Sequence, residues 1–224
     1  AYVPGSSFLS VVVPSPAQLS VLSQGVSEPM DAPAMTVKQA MAVNLSQAER
    51  VKLTGTLLAA TMGNVYYARG EDGVPFSFYM LHPIDEDKSG RLSTPIVMAT
   101  CEPCDVIEVV GIPGRVDPGL HLDFGVVRVL RRGVQPPVVP SDIASVTAGN
   151  HVHDLVELQG RLLSTDDVLV APGRWRTTMK LAEGDRKITA FLDAPTRGAL
   201  SELVEDHLLQ VRGIVTGQPH FPEI

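Results

Sequence analysis

The stretch Val51–Thr61, VKLTGTLLAAT, returns in the second half of the chain as Val156–Asp166, VELQGRLLSTD. Both read V-x-L-x-G-x-L-L, with Gly55 and Gly160 at the same place. Apolar and polar residues alternate through each, which is the period of a half-buried strand. A glycine inside such a strand marks a bulge or bend, the device by which one long strand curves through both sides of a small barrel. A second pair repeats further on: VIEVVGIPGRV from Val106 and LLQVRGIVTGQ from Leu208 share V-x-G-I. The chain therefore reads as two copies of one small β unit.

Working outward, the first copy predicts strands over Val51–Ala59, Val74–Leu81, Thr94–Thr100, Val106–Ile112 and His121–Leu130, separated by Gly, Pro and Asp turns. The second predicts them over His153–Ser164, Gly173–Ala182, Asp185–Asp193 and His207–Val215. Between its third and fourth strands, Leu200, Leu203 and Val204 recur at helical spacing after Pro195, so Pro195–Asp206 is expected to be helical. Five strands with a helix after the third is the plan of the OB fold. The expected fold is mainly β, with two tandem OB-fold five-stranded barrels and an extended N-terminal arm. The boundaries are an extended Pro/Ser-rich arm over 1–48, a first OB domain over 49–132, a linker over 133–150 and a second OB domain over 151–224. The arm is too apolar for a free linker, so part of it is expected to lie along a neighbouring surface, with a short helix around Val37–Met41.

The first domain resembles the single-stranded-DNA-binding (SSB) family and its relative, primosomal replication protein B. The resemblance spans about Val51–Leu130 and rests on VKLTGTLLAAT with its mid-strand glycine, the pair VYY before a glycine turn, VPFSFYML as second strand, STPIVMAT as third and CDVIEVVGIPGRV as fourth. Where the family carries a helix before its fourth strand this chain has the short CEPC link. Ile96, Val97 and Met98 stand where the family's third strand has an aromatic. The resemblance implies an OB barrel that binds single-stranded DNA or RNA. SSB-like barrels also serve in multi-protein assemblies, trypanosomatid RNA-editing complexes among them, where they contact protein as much as nucleic acid.

Aromatic and basic residues on outward parities are the candidate contacts. Val74, Phe76, Phe78 and Met80 share one face of their strand, which is the core face, and Tyr79 points the other way. Tyr79, with whichever of Tyr66 and Tyr67 alternation exposes, is a candidate for stacking on bases. In GRWRTTMKLA, Arg174, Arg176, Thr178 and Lys180 fall on one face, and Trp175, Thr177, Met179 and Leu181 on the other. Trp175 is thus expected to anchor the second core. The cations, joined by Lys187, Thr189 and Phe191 on the outer parity of the next strand, form the candidate groove for a phosphate backbone.

Charge limits how far this groove reaches. The formal net charge is -7 over 224 residues, and residues 51–132 carry 8 basic and 10 acidic side chains while 153–224 carry 8 and 11. Neither half attracts polyanions as a whole, so a nucleic-acid site has to be a local patch. Cys101 and Cys104 have a C-x-x-C spacing, with His151 and His153 as conceivable further zinc ligands. One such pair does not close a four-ligand site, and no metal or other cofactor is expected. No G-x-S-x-G, H-E-x-x-H or P-loop is present, so no catalysis is expected. The longest apolar run, Phe8–Val13, stops at Pro14, far short of the roughly 20 residues of a membrane helix. The expectation is a soluble, intracellular protein, of bacterial cytoplasm or mitochondrial matrix, with single-stranded nucleic acid and protein subunits, or its own copies, as partners. The competing expectation is a scaffold that binds protein alone, docking through the arm and an exposed strand edge.

Overall fold

The computed structural model describes residues 28–43, 49–61, 65–80, 101–116 and 119–216. The chain is mainly β, and its first unit is a closed barrel. Strands β1 (Val51–Ala60), β2 (Val65–Gly70), β3 (Pro75–Met80), β4 (Val106–Val116) and β5 (Gly119–Arg131) pair in the order β1-β2-β3-β5-β4, with β4 returning to β1. All pairs are antiparallel except β3 with β5, where Phe76 sits beside Leu120. This is an OB-like barrel. VYY therefore lies on the second strand and VPFSFYML supplies the third. The strand expected over Thr94–Thr100 lies outside the described residues.

Inward parity fills the barrel. Leu53 and Leu57 of β1, Phe76 and Phe78 of β3, Ile107 and Val109 of β4 and Leu120 and Leu122 of β5 form one core, each at most 1% exposed. Burying each phenylalanine contributes about 1.5–3 kcal/mol. Gly55 is required by close approach: a Cβ there would lie 2.6 Å from the Arg69 carbonyl oxygen and 3.2 Å from the Phe76 ring.

Each unit is entered by the same device. Ahead of β1, Met35 donates its N–H to the Lys52 carbonyl and Lys52 donates to that of Pro33, both at 2.9 Å. There follows α1 (Val37–Met41), capped at Thr36: the Thr36 hydroxyl accepts from the Gln39 N–H, and the Gln39 side chain accepts from the Thr36 N–H. Val37 and Ala40 are buried against the first core. The stretch read as a linker carries the second version. Its β6 (Val139–Pro140) runs parallel to the first strand of the second unit, and α2 (Ile143–Thr147) is capped by the Asp142 carboxylate, which accepts from the Ser145 N–H at 2.6 Å. Ile143 is fully buried in the second core, and its N–H donates to the Glu183 carboxylate at 3.0 Å.

The second unit is a sheet of β7 (Leu155–Ala171), β8 (Arg174–Glu183), β9 (Arg186–Ala194) and β10 (Leu208–Ile214), ordered β10-β7-β8-β9 with β6 on β7. That repeats β4-β1-β2-β3 strand for strand. In place of the second closed barrel expected from the repeat, the described residues form an open sheet, since none occupies the place that β5 takes in the first unit. Its core is Ile143, Val156, Leu158, Leu162, Met179, Leu181 and Val215. The expected helix over Pro195–Asp206 is a run of turns instead. Gly198 takes φ +73 and donates its N–H to the Asp167 carboxylate at 3.0 Å, a left-handed step that stops helix propagation. Leu200 and Leu203 still pack on the core from those turns.

Candidate nucleic-acid interface

In OB folds the outer face of strands two and three carries the ligand, and the first barrel's version of that face is largely taken. Register puts Tyr67 of β2 beside Ser77 of β3, and Ser77 beside His121 of β5. All three point outward, yet all are buried. The second unit's leading segment lies against this face: the Tyr67 ring lies 5.3 Å from that of His153, and Arg69 is ion-paired with Asp154. His153 is fixed to its own unit, donating its N–H to the Val215 carbonyl at 2.7 Å from a left-handed conformation at φ +66. Ser77 Oγ and His121 Nδ1 are hydrogen-bonded at 2.9 Å. Burial pushes the pKa of both imidazoles down; His121 pushes that of His153 further, while Asp123 and Asp154 work against the shift on His121 and His153 respectively.

Of the three candidate tyrosines, the structure leaves one open. Tyr79 is 45% exposed and meets the His121 ring edge-on at 5.0 Å. Tyr67 is closed into the seam between the units. Tyr66 is packed against the core, stacked on Phe78 with centroids 5.2 Å apart and planes at 15°. Alternation was expected to expose one of this pair, but one side of β2 is core and the other is the seam.

The matching face of the second unit, on β8 and β9, is uncovered among the described residues. Cross-strand register sets Arg176 beside Asp193, Thr178 beside Phe191 and Lys180 beside Thr189, with Lys187 one step on beside Ala182. Arg176 is held: its guanidinium donates to both Asp193 carboxylate oxygens at 2.7 and 3.0 Å and lies over the Phe191 ring at 5.4 Å. The Asp193 hydrogen bonds raise the Arg176 pKa further. Its charge is therefore already compensated by Asp193 where it packs on the Phe191 ring. Phe191 is 46% exposed. Arg174, Lys180 and Lys187 are exposed and make no ion pair among the described residues. Arg174 stands apart, in a cleft of about 480 Å³ between Ala60 and Thr61 at the end of β1 and Gly173, Asp193, Ala194 and Pro195.

Trp175 does not anchor the second core. It is half-buried beneath the Arg197 guanidinium, 5.4 Å from the ring, and its neighbour on β7 is Leu169, 53% exposed. The β7–β8 hairpin runs past the packed part of the sheet, so of its inward set only Thr177, Met179 and Leu181 are buried. Cys101 and Cys104 are free thiols, and no group of three or more His, Cys, Asp or Glu able to hold a metal forms among the described residues. His151 and His153 lie at the seam, where His151 Nδ1 is 3.8 Å from the Asp154 carboxylate. The buried Ser77–His121–His153 group escaped sequence reasoning. Its one signal was a histidine between Leu120 and Leu122, on the parity opposite to the core.

No helix among the described residues is long and apolar enough to cross a membrane. No family model matches the chain, and no curated protein does. Among solved structures, the chain is similar to the hypothetical protein ygiW from E. coli, at 18% identity over 48% of this chain and 100% of that one, with a TM-score of 0.31. It is also similar to a replication protein A heterotrimer bound to ssDNA, at 10% identity over 76% of this chain and 45% of that one, with a TM-score of 0.29.

Proposed function

We propose that the chain is a non-enzymatic tandem OB-type protein that binds single-stranded nucleic acid on the outer face of β8 and β9, as one subunit of a larger nucleoprotein assembly. The observation that carries this reading is Phe191, an exposed ring on the third strand of the second unit, steadied by Arg176 and flanked by Lys180 and Lys187. A base stacked on such a ring gains about 1–3 kcal/mol, and the two lysines reach the adjoining phosphates. Tyr79 offers a second exposed ring on the first unit. The acidic balance of both halves makes the affinity modest and strongly salt-dependent.

Titration of the full chain with labelled dT and U 30-mers at low and moderate salt tests the reading. Saturable binding that weakens as salt rises supports it. A flat response with both oligomers overturns it in favour of a second reading, an adaptor that binds protein alone. One observation favours that second reading: the first unit's ligand face is occupied by the chain's own His153 and Asp154.

A further inference from the structure

Two adjacent residues of the second unit reach the outer face of β2. The His153 ring lies 5.3 Å from that of Tyr67, with the planes at 54°, and the Asp154 carboxylate is ion-paired with the Arg69 guanidinium. Register sets both partners on the side of β2 away from the core. Phe76 and Phe78 of the core pair with Ala68 and Tyr66, so Tyr67 and Arg69 alternate outward. Tyr79, paired with Val65, points the same way from β3. A ring with a cation two residues along the strand, about 6.6–6.8 Å away, is the pair of groups that holds a single strand, one taking a base and the other a phosphate. Here the ring is 8% exposed and the cation 17%, and each already faces a group of matching chemistry from the same chain.

We infer that His153 and Asp154 are a built-in competitor for single-stranded nucleic acid, holding on Tyr67 and Arg69 the places of one base and one phosphate, so that the β2 face takes a strand only when the two units part. The competitor is fastened to its own unit. His153 donates its N–H to the Val215 carbonyl at 2.7 Å, Val215 donates to the Asp154 carbonyl at 3.0 Å, and Asp154 donates to the His151 carbonyl at 2.9 Å. Release is therefore a separation of units rather than the movement of a loop. His151 and His153 both keep left-handed backbones, at φ +64 and +66, where glycine sits without strain. A larger residue persists there only when its surroundings fix it, and such positions gather at clamps and switches. The closed contact lowers the apparent affinity of the β2 face by the fraction of molecules in which that face is open. The chain then has one face free for a strand, on β8 and β9, and one in reserve. The ligand class follows from the single-strand reading above, whereas the closure stands on the seam contacts alone.

Titration of the full chain with a labelled dT 30-mer, wild type against the double variant His153→Gly with Asp154→Asn, tests it. Glycine keeps the left-handed backbone at 153 and asparagine keeps the shape at 154, so a ring and a charge are lost outside both cores. The expected result is binding tighter by about five-fold or more, the least that one further stacked base contributes, with a salt slope steeper by about 0.7 from one further phosphate. Adding Arg69→Ala to the double variant should remove the extra slope, and adding Tyr67→Ala the extra affinity. Asp154→Asn alone, the milder change, should already tighten binding part of the way. Unchanged or weaker binding in both the single and the double variant overturns the inference and leaves the β8–β9 reading standing. Binding by the released variant but not by the wild type supports the inference and overturns that reading instead. No binding by either overturns both. A gain that survives the loss of Tyr67 and Arg69 puts the extra contact elsewhere and also overturns the inference.

Discussion

Ser77 Oγ lies 2.9 Å from Nδ1 of His121, and both side chains are buried although both point away from the barrel core. An outward pair on a sheet is normally wet. Here the Tyr79 ring meets His121 edge-on, and His153, close enough for His121 to lower its pKa, lies against the neighbouring Tyr67, so the contact between the two units is coupled to the protonation of His121 and His153. Both have pKa values lowered in the folded chain by burial. The unfolded chain therefore binds more protons between the folded pKa and the ordinary histidine value, and stability rises with pH across that window. It is fully present above the ordinary histidine value of about 6.5 and is lost as pH falls through the lowered ones. Acidification from pH 7.5 to 5 should lower the Tm of the docked protein, and His153→Gln should flatten that dependence. An unchanged pH profile in the variant would show that His153 does not carry it.

The shared glycines make a second comparison. At Gly55 a Cβ meets backbone at 2.6 Å, so Gly55→Ala must shift β2 and should cost about 1–3 kcal/mol. At Gly160 the nearest atoms are the Ile143 Cδ1 and Leu181 Cβ, both at 3.1 Å. The Ile143 methyl can yield, so Gly160→Ala should cost less than Gly55→Ala. Denaturant unfolding of the two variants ranks them, and a larger loss at Gly160 would contradict the geometry.

How much of this was legible follows from range. The V-x-L-x-G-x-L-L repeat and the parity of Phe76 and Phe78 are local periodicities, and the short helix over Val37–Met41 is local too, closed in the structure by a capping box between Thr36 and Gln39. The helix capped by Asp142 lies in a stretch whose prolines and glycines read as a linker. Tyr67, Trp175 and Arg176 depend on what lies across a seam or along a neighbouring strand. Alternation says which way a side chain points but not whether a second unit, an end of the sheet or an Asp193 waits there.

Trp175 gives a direct measure of that difference. A fully buried tryptophan costs about 3–5 kcal/mol when cut to alanine, whereas Trp175, half-buried under Arg197, should lose about 1 kcal/mol. Leu181→Ala, inside the second core, should cost about 2–5 kcal/mol. Equilibrium denaturation of both variants, followed by circular dichroism so that the loss of the tryptophan does not affect the signal, should show Leu181 as the larger loss. The reverse order would return Trp175 to the core.

The β8–β9 face separates stacking from charge. Lys180→Ala with Lys187→Ala removes two phosphate contacts, each worth about 0.7 in the salt slope on a single strand, so the slope should fall by about 1.4 and binding should weaken alike for all sequences. Phe191→Ala should cost about 1–3 kcal/mol with the slope unchanged, because a stacked base neutralises no phosphate. Arg176→Ala should behave like the phenylalanine variant. Its guanidinium is already neutralised by Asp193 and acts by holding the ring beneath it, so losing it should weaken stacking and leave the slope nearly intact. The measurement is the same oligomer titration at four salt concentrations. A fall in slope of about 0.7 on removing Arg176 would mean that it releases Asp193 to grip phosphate directly, and the division of labour between ring and cations on this face would have to be redrawn.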